Sequence, residues 1–125
     1  MKLSLNTIII FVRDIDIVKS FYTDILQLHI IEEYTSQWVL LNAGTANIGL
    51  HKIGEPYAGN IANGYKFDNN TKMVFETRED IYTLRASLLQ QGVSMQEVKT
   101  FDNYDYWLCD GQDPEGNIFQ LKQKK

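Results

Sequence analysis

The stretch FVRDIDIVKSFYTDILQL, from Phe11 to Leu28, determines the first half of the fold, and FETREDIYTLRASLLQQGV, from Phe75 to Val93, determines the second. Each stretch begins at the end of a β-rich segment and passes through acidic residues into a run with helical spacing. Superposing the two brings Ile17 onto Ile81, at an offset of about half of the 125 residues. The sequence therefore contains the same strand and helix order twice.

Hydrophobic periodicity predicts the elements of each copy. The first helix is predicted over 15–27, with Ile17, Phe21, Ile25 and Leu28 on the face that packs against a sheet and Val18 beside them. The second contains Ile81, Leu84, Leu88 and Leu89, ends before Gly92, and follows a capping-box spacing over 77–80. The predicted strands are 3–12, 29–34, 37–42 and 47–53 in the first copy, and 72–76, 94–100, 106–110 and 117–123 in the second.

These elements predict one α+β domain of 125 residues that consists of two tandem βαβββ modules with mixed sheets. Module one covers about 1–53 and module two about 71–125. The segment 54–70, which contains Pro56 and several glycines and asparagines, is predicted to connect them. A duplicated unit of this kind is expected to form a pseudo-twofold cavity.

Composition and charge exclude several classes of function. A net charge of −4 provides no broad positive field, so a nucleic acid partner is not expected. The apolar run 7–12 is too short to cross a membrane or to serve as a signal peptide, so no membrane partner is expected either. The single cysteine, Cys109, rules out an intrachain disulfide and favours a reducing, cytoplasmic setting.

Two segments carry a resemblance to a known family. The stretch from Phe11 to Leu28 resembles the opening strand, Asp cap and Phe-Tyr helix of the vicinal oxygen chelate superfamily. The stretch DPEGNIFQL, from Asp113 to Leu121, is similar to its closing turn and last strand. This superfamily contains glyoxalases, extradiol dioxygenases, and fosfomycin- and bleomycin-resistance proteins. The resemblance implies two modules whose sheets curl around a cleft, and a homodimer.

The resemblance also allows the metal positions of the family's enzymes to be checked. Those enzymes place His on the opening strand of each module and Glu on the last strand. Here the matching positions are Thr7, Gly49, Lys72 and Gln120. A divalent metal needs imidazole nitrogen or carboxylate oxygen, which this set lacks. No metal, no cofactor and no catalytic residue are therefore expected, and the amide of Gln120 is suited to a neutral ligand.

Strand alternation directs Thr7, Lys72 and Gln120 towards the expected cleft. Lys72 either meets an anionic ligand group or pairs with a neighbour such as Glu76. His51 is either a ligand contact or a surface histidine at a strand end, and the aromatic residues either stack on a planar ligand or belong to the core or a dimer interface. The predicted ligand-binding residues are Thr7, Trp38, His51, Lys72, Tyr104, Tyr106, Trp107 and Gln120.

The sequence is compatible with three functions. The leading prediction is a small-molecule binding protein of the bleomycin-resistance type, which sequesters its ligand without metal chemistry. The first alternative is a glyoxalase- or dioxygenase-like metal enzyme with displaced ligands, such as His51, Gln120 and Glu76. The second is a non-catalytic scaffold dimer. Cys109 has no histidine near it in sequence to activate it, so it is expected to be a small buried hydrophobic residue.

Overall fold

The fold is described from a computed structural model that covers residues 1–54, 66 and 70–125. The chain divides into two compact units, residues 1–65 and 66–125. Most of the predicted connection, 55–65 and 67–69, lies outside the described residues. No helix among the described residues has the length and hydropathy needed to cross a membrane.

The first unit is a four-stranded mixed sheet with a helical segment after its first strand. Its strands lie in the order β1-β4-β3-β2, with β1 parallel to β4 and the other neighbours antiparallel. The elements are β1 (Thr7–Val12), α1 (Ile15–Ser20), a π-helical turn (Phe21–Ile25), β2 (His29–Tyr34), β3 (Trp38–Asn42) and β4 (Asn47–Lys52).

The second unit repeats this arrangement. Its strands lie in the order β5-β8-β7-β6, again with one parallel pair, β5 with β8. The elements are β5 (Lys72–Thr77), α2 (Ile81–Gln90), β6 (Ser94–Met95), β7 (Tyr106–Gln112) and β8 (Ile118–Lys124). The predicted fold class, α+β with two tandem βαβββ modules, is therefore confirmed.

The pairing registers give the correspondence between the two units. Ile9 lies opposite Gly49 in the first sheet, and Val74 lies opposite Gln120 in the second. Gly49 and Gln120 are therefore equivalent positions, as the alignment of the two final strands predicts. The alternation predicted for β1 is also observed, since Val12 is fully buried whereas Phe11 is 58% exposed. We call the face of each sheet turned away from its helices the open face.

The first helical segment differs from the prediction in two ways. Asp14 caps it, because its Oδ1 accepts a hydrogen bond from the backbone N–H of Ile17 at 3.2 Å. The side chain of Ile17, however, is 55% exposed, so its predicted place on the packing face is wrong, whereas Val18 and Phe21 are buried as predicted. The π-helical turn advances the chain by more residues per turn and buries Phe21 together with its neighbour Tyr22. The regular helix thus ends earlier than predicted.

The second helix is capped by Asp80 and not by the predicted capping box. Oδ2 of Asp80 accepts hydrogen bonds from the backbone N–H of Thr83 at 2.9 Å and from the Thr83 hydroxyl at 2.8 Å. Thr77 accepts instead from the N–H of Glu79, in the turn before the helix. The predicted strand 94–100 is also shorter in the structure. Strand β6 contains two residues, and beyond it an isolated antiparallel bridge pairs Lys99 with Leu108.

Candidate functional site

On the open face of the first unit, a tryptophan covers a glycine. The antiparallel register places Leu40 opposite Gly49 and Trp38 opposite His51. A Cβ added to Gly49 would stand 2.4 Å from Cη2 of Trp38, so only glycine leaves room for the indole here. The indole Nε1–H donates to Oε2 of Glu32 at 3.1 Å. The ring is therefore held both by contact and by a hydrogen bond.

Two more rings extend this surface. The ring centroid of His51 lies 5.2 Å from that of Phe11 and 6.0 Å from that of Trp38. Nδ1 of His51 lies 2.7 Å from the carbonyl oxygen of Lys52, and because a carbonyl can only accept, Nδ1 carries the proton. In neutral His51, Nε2 is then a hydrogen-bond acceptor. We call Phe11, Trp38 and His51 the aromatic platform.

Thr7 shares this strand face but stands at the other end of β1. Four residues separate it from Phe11, which corresponds to about 13 Å along a strand. Its hydroxyl donates to Oδ1 of Asn6 at 2.6 Å. The structure therefore does not bring Thr7 to the aromatic platform.

The open face of the second unit has a polar centre. Nζ of Lys72 lies 2.8 Å from Oδ2 of Asp110, and Nε2 of Gln120 donates to Oδ1 of the same carboxylate at 2.8 Å. Asp110 lies opposite Gln120 in the β7–β8 register, and its side chain is only 16% exposed. We call Lys72, Asp110 and Gln120 the polar triad. It shows how the amide at position 120 is used within the chain: it is a donor to a partly buried carboxylate.

The electrostatics of the polar triad favour the ionised carboxylate. Burial by itself would raise the pKa of Asp110, but hydrogen bonds from Lys72 and Gln120 and the positive charge of Lys72 outweigh it, so the pKa is lowered. The Lys72 ammonium has three N–H donors, and its side chain is 41% exposed. It can therefore donate to a ligand oxygen while it stays paired with Asp110.

Asp110 is the functional candidate that the sequence reading missed. The signal was present, because Asp110 follows Tyr106 by four residues on one predicted strand and alternation then puts both side chains on one face. What the sequence lacked was the cross-strand partner. Only the register places this carboxylate opposite Gln120.

The predicted aromatic group of the second unit separates into two faces. The ring centroids of Tyr104 and Tyr106 are 5.6 Å apart, and Nζ of Lys122 lies 4.1 Å from the Tyr106 centroid. Trp107 points the other way and meets Tyr82 of α2 at 6.2 Å. The structure thus brings Tyr104 and Tyr106 together and places Trp107 on the helix side.

The residues at the four family metal positions do not fit a divalent cation. The space at Gly49 is taken by an indole, and Lys72 contributes a positive charge next to Gln120. Among residues 1–54, 66 and 70–125, no three His, Cys, Asp or Glu side chains group closely enough to hold a metal ion. Of the alternative set, His51 belongs to the first unit, whereas Glu76 and Gln120 belong to the second.

The sequence profile of the glyoxalase, bleomycin resistance protein and dioxygenase superfamily matches residues 4–121. The chain therefore belongs to this superfamily. No curated protein matches the sequence. The superfamily includes both enzymes and binding proteins, so membership by itself does not determine the activity.

Solved structures with the same fold cover almost the whole chain. A lactoylglutathione lyase from Agrobacterium tumefaciens is 15% identical, with a TM-score of 0.74 over 98% of this chain and 95% of its own. A fosfomycin resistance protein from Listeria monocytogenes is 13% identical, with a TM-score of 0.77 over 100% and 96%. An antibiotic binding protein from a Streptomyces species is 18% identical, with a TM-score of 0.75 over 100% and 99%. At these identities the likeness is one of fold.

Proposed function

We propose that this protein is a small-molecule binding protein of the bleomycin-resistance type, which sequesters a planar ligand without metal chemistry. The observation that carries the proposal is the Trp38 indole, which rests on Gly49 and is fixed by Glu32. A fixed aromatic ring loses little conformational freedom when a ligand stacks on it. Such a ring is therefore a good binding surface before any ligand arrives.

The surroundings of Trp38 support a planar, neutral or cationic ligand. Phe11 and Ile9 are about half exposed beside the ring, and exposed apolar surface of this kind favours contact with an apolar partner. Aromatic pairs contribute about 0.5–1.5 kcal/mol beyond the area they bury. The Glu32 carboxylate next to the indole and the net charge of −4 favour a cation over an anion.

Within the second unit, the polar triad by itself offers a polar contact to a ligand. A ligand carbonyl or hydroxyl oxygen can accept from the Lys72 ammonium without breaking the ion pair to Asp110. Because the residues at the metal positions do not fit a dication, we assign ligand recognition to hydrogen bonds and stacking. The antibiotic binding protein from Streptomyces shares the fold, which agrees with a binding role for this scaffold.

Trp38 also provides a direct test. The chain has two tryptophans, so Trp107→Phe leaves Trp38 as the sole indole reporter. Chelator-treated Trp107→Phe protein is titrated with bleomycin and with planar cationic antibiotics, and we expect saturable quenching by at least one of them. In calorimetry, Trp38→Leu should weaken binding by about tenfold or more, which corresponds to about 1.4 kcal/mol. Trp107→Phe, as the matched control, should bind like the wild type.

The chemical fate of the ligand distinguishes a binder from an enzyme. Mass spectrometry should recover the ligand unchanged after prolonged incubation at stoichiometric protein. Conversion of the ligand, or binding that requires added nickel, zinc, manganese or iron, would contradict the proposal and favour the metal-enzyme alternative. No binding by any member of the panel, together with a stable dimer, would favour the scaffold.

We also propose a homodimer in the cytoplasm. Strand β2 lies at a sheet edge and all six of its residues are exposed, and an uncovered edge of this kind favours pairing with another chain. Light scattering should give twice the mass of 14.5 kDa, and a monomer mass at all concentrations tested would contradict the dimer. The single, fully buried Cys109 is compatible with a reducing compartment.

A further inference from the structure

The second unit also contains a groove outside the polar triad. Its volume is about 560 Å³, within the range of roughly 300–1,000 Å³ that is typical of small-molecule sites. It lies where β5 and β8 end and β7 begins, next to the start of α2. We call it the strand-end groove, and its lining residues are Glu76, Thr77, Arg78, Tyr106, Gln123 and Lys124.

Three charged side chains line this groove. Arg78 and Lys124 are cationic and Glu76 is anionic, and all three are exposed. Within the part of the chain that the structure describes, the ion pairs are Lys19 with Glu33, Lys72 with Asp110, and Arg85 with Glu97. None of them includes a charged residue of the groove. The groove thus offers charges of both signs, with one positive charge in excess.

The neutral groups of the groove are held in place. Oε1 of Gln123 accepts from the N–H of Ile81 at 2.8 Å, which fixes the amide and leaves its NH2 group as a donor. The Thr77 hydroxyl oxygen accepts from the N–H of Glu79 at 3.0 Å, so its proton remains available to donate. The ring of Tyr106 contacts both Nζ of Lys122, 4.1 Å from its centroid, and the ring of Tyr104. These groups are therefore oriented before a ligand arrives.

We propose that the strand-end groove binds a small zwitterion of the amino-acid type with an aromatic side chain. Its carboxylate pairs with Arg78 and Lys124, which act as charge-assisted donors. Its ammonium pairs with Glu76, and its ring packs against Tyr106. A simple anion would leave Glu76 without a partner, and a simple cation would leave Arg78 and Lys124 without one, whereas a zwitterion pairs with groove charges of both signs.

Binding in the strand-end groove is independent of the proposed function. The strand-end groove uses no residue of the aromatic platform or of the polar triad. A ligand that quenches Trp38 therefore neither supports nor weakens the assignment of the groove. The two tests use different probes and different readouts.

Three probes that share a phenyl ring and an ethyl chain test the role of each charge. Phenylalanine carries both charged groups, phenylpropanoate lacks the amine, and phenethylamine lacks the carboxylate. In two-dimensional amide NMR of the full chain, phenylalanine should shift the signals of Thr77, Arg78 and Lys124 in a saturable way. Phenylpropanoate should bind about tenfold more weakly and phenethylamine more weakly still, because each lacks a charge-assisted contact.

Matched variants assign each contact. Glu76→Gln should remove the advantage of phenylalanine over phenylpropanoate, whereas Asp102→Asn, the same change at an exposed position outside the groove, should not. Arg78→Gln should weaken both carboxylate probes by about tenfold, and Lys99→Gln, which removes an exposed charge outside the groove, should leave them unchanged. Amide spectra and melting curves check that each variant is folded.

Several results would overturn the proposal. Equal binding of phenylalanine and phenylpropanoate, or tighter binding of both to Glu76→Gln, would make the groove a plain anion site. Shifts confined to residues outside the groove, or no saturable shift with any probe, would remove the site altogether.

Discussion

The two open faces have one backbone pattern and two different chemistries. Gly49 and Gln120 are equivalent in register, and so are Leu40 and Asp110, which lie directly opposite them. In the first unit, the indole of Trp38 lies over Gly49. In the second unit, the carboxylate of Asp110 binds the amide at position 120 and the ammonium of Lys72. Strand register is therefore retained in both copies, while the side chains at matched positions diverge.

The two chemistries also differ in what stabilises them. The aromatic platform keeps half-exposed apolar rings such as Phe11 in contact with one another, which favours a further apolar partner. The polar triad satisfies its own charges, because both oxygens of Asp110 accept hydrogen bonds from within the unit. The first face thus gains most from a ligand, whereas the second is already internally paired.

Among single substitutions, a side chain added at Gly49 should destabilise the protein most. Gly49→Ala places a Cβ within 2.4 Å of Trp38 and 3.2 Å of Ile9, so the indole must leave its position. We expect a loss of about 1–3 kcal/mol in the free energy of unfolding, as for overpacking in general, and a change in Trp38 emission. Urea unfolding monitored by fluorescence measures both.

The chain offers a matched control for this substitution. A Cβ added to Gly54 would meet nothing within 4 Å, so Gly54→Ala should leave stability nearly unchanged. In the background Trp38→Leu, Gly49→Ala should cost much less than in the wild type. An equal cost in both backgrounds would show that the indole is not the obstacle.

The next effect concerns the charge at the centre of the second face. Asp110→Asn removes the ion pair with Lys72 and should cost about 1–2 kcal/mol at neutral pH. The pKa of Asp110 in the folded protein lies below its ordinary value of 3.8, so the carboxylate stabilises the fold above that value, and this contribution is lost as the pH falls through the lowered pKa. Denaturant unfolding at a series of pH values measures this.

The variant should therefore lose less stability than the wild type as the pH falls below about 4. Asp102→Asn, an exposed position on the same unit, should keep the neutral-pH stability of the wild type. If Asp110→Asn and the wild type show parallel pH profiles, the polar triad does not hold the carboxylate in its ionised form.

The smallest effect concerns the cap of the second helix. Hydrogen bonds from the Thr83 side chain and backbone lower the pKa of Asp80, so its ionised form favours the start of α2. Asp80→Ala should lower the melting temperature by less than either substitution above, whereas Asp80→Asn, which still caps, should restore most of the loss. Calorimetry of the three proteins makes the comparison, and an Asn variant as unstable as the Ala variant would contradict the cap.

The fold was predictable because its signals are local and repeated. The alternation in β1, the strand and helix order of both copies and the Asp14 cap depend on residues near one another in sequence. The burial expected of Cys109 is also confirmed, because its side chain is fully buried, and this burial raises the pKa of its thiol. The π-helical turn was not predictable, because its apolar residues also fit a regular helix.

The candidate site was predictable only in part, because its defining contacts join different strands. Trp38 and His51 appear in the sequence as separate residues, and only the β3–β4 register makes them neighbours. Asp110 was missed for the same reason, since its partner Gln120 lies across the β7–β8 pair. Alternation along β7 by itself places Trp107 and Tyr106 on opposite faces of the sheet. The prediction instead treated the two residues as members of one aromatic group.

The turn before β8 is held in place by the carboxylate of Asp113. Asp113 is almost fully buried, and its carboxylate accepts from the backbone N–H groups of Glu115 and Asn117 and from the Asn117 amide. This turn fixes where β8 begins, so position 120 reaches the open face whatever side chain it carries. The scaffold can therefore exchange the chemistry at that position one residue at a time, while the positions that present it stay constant.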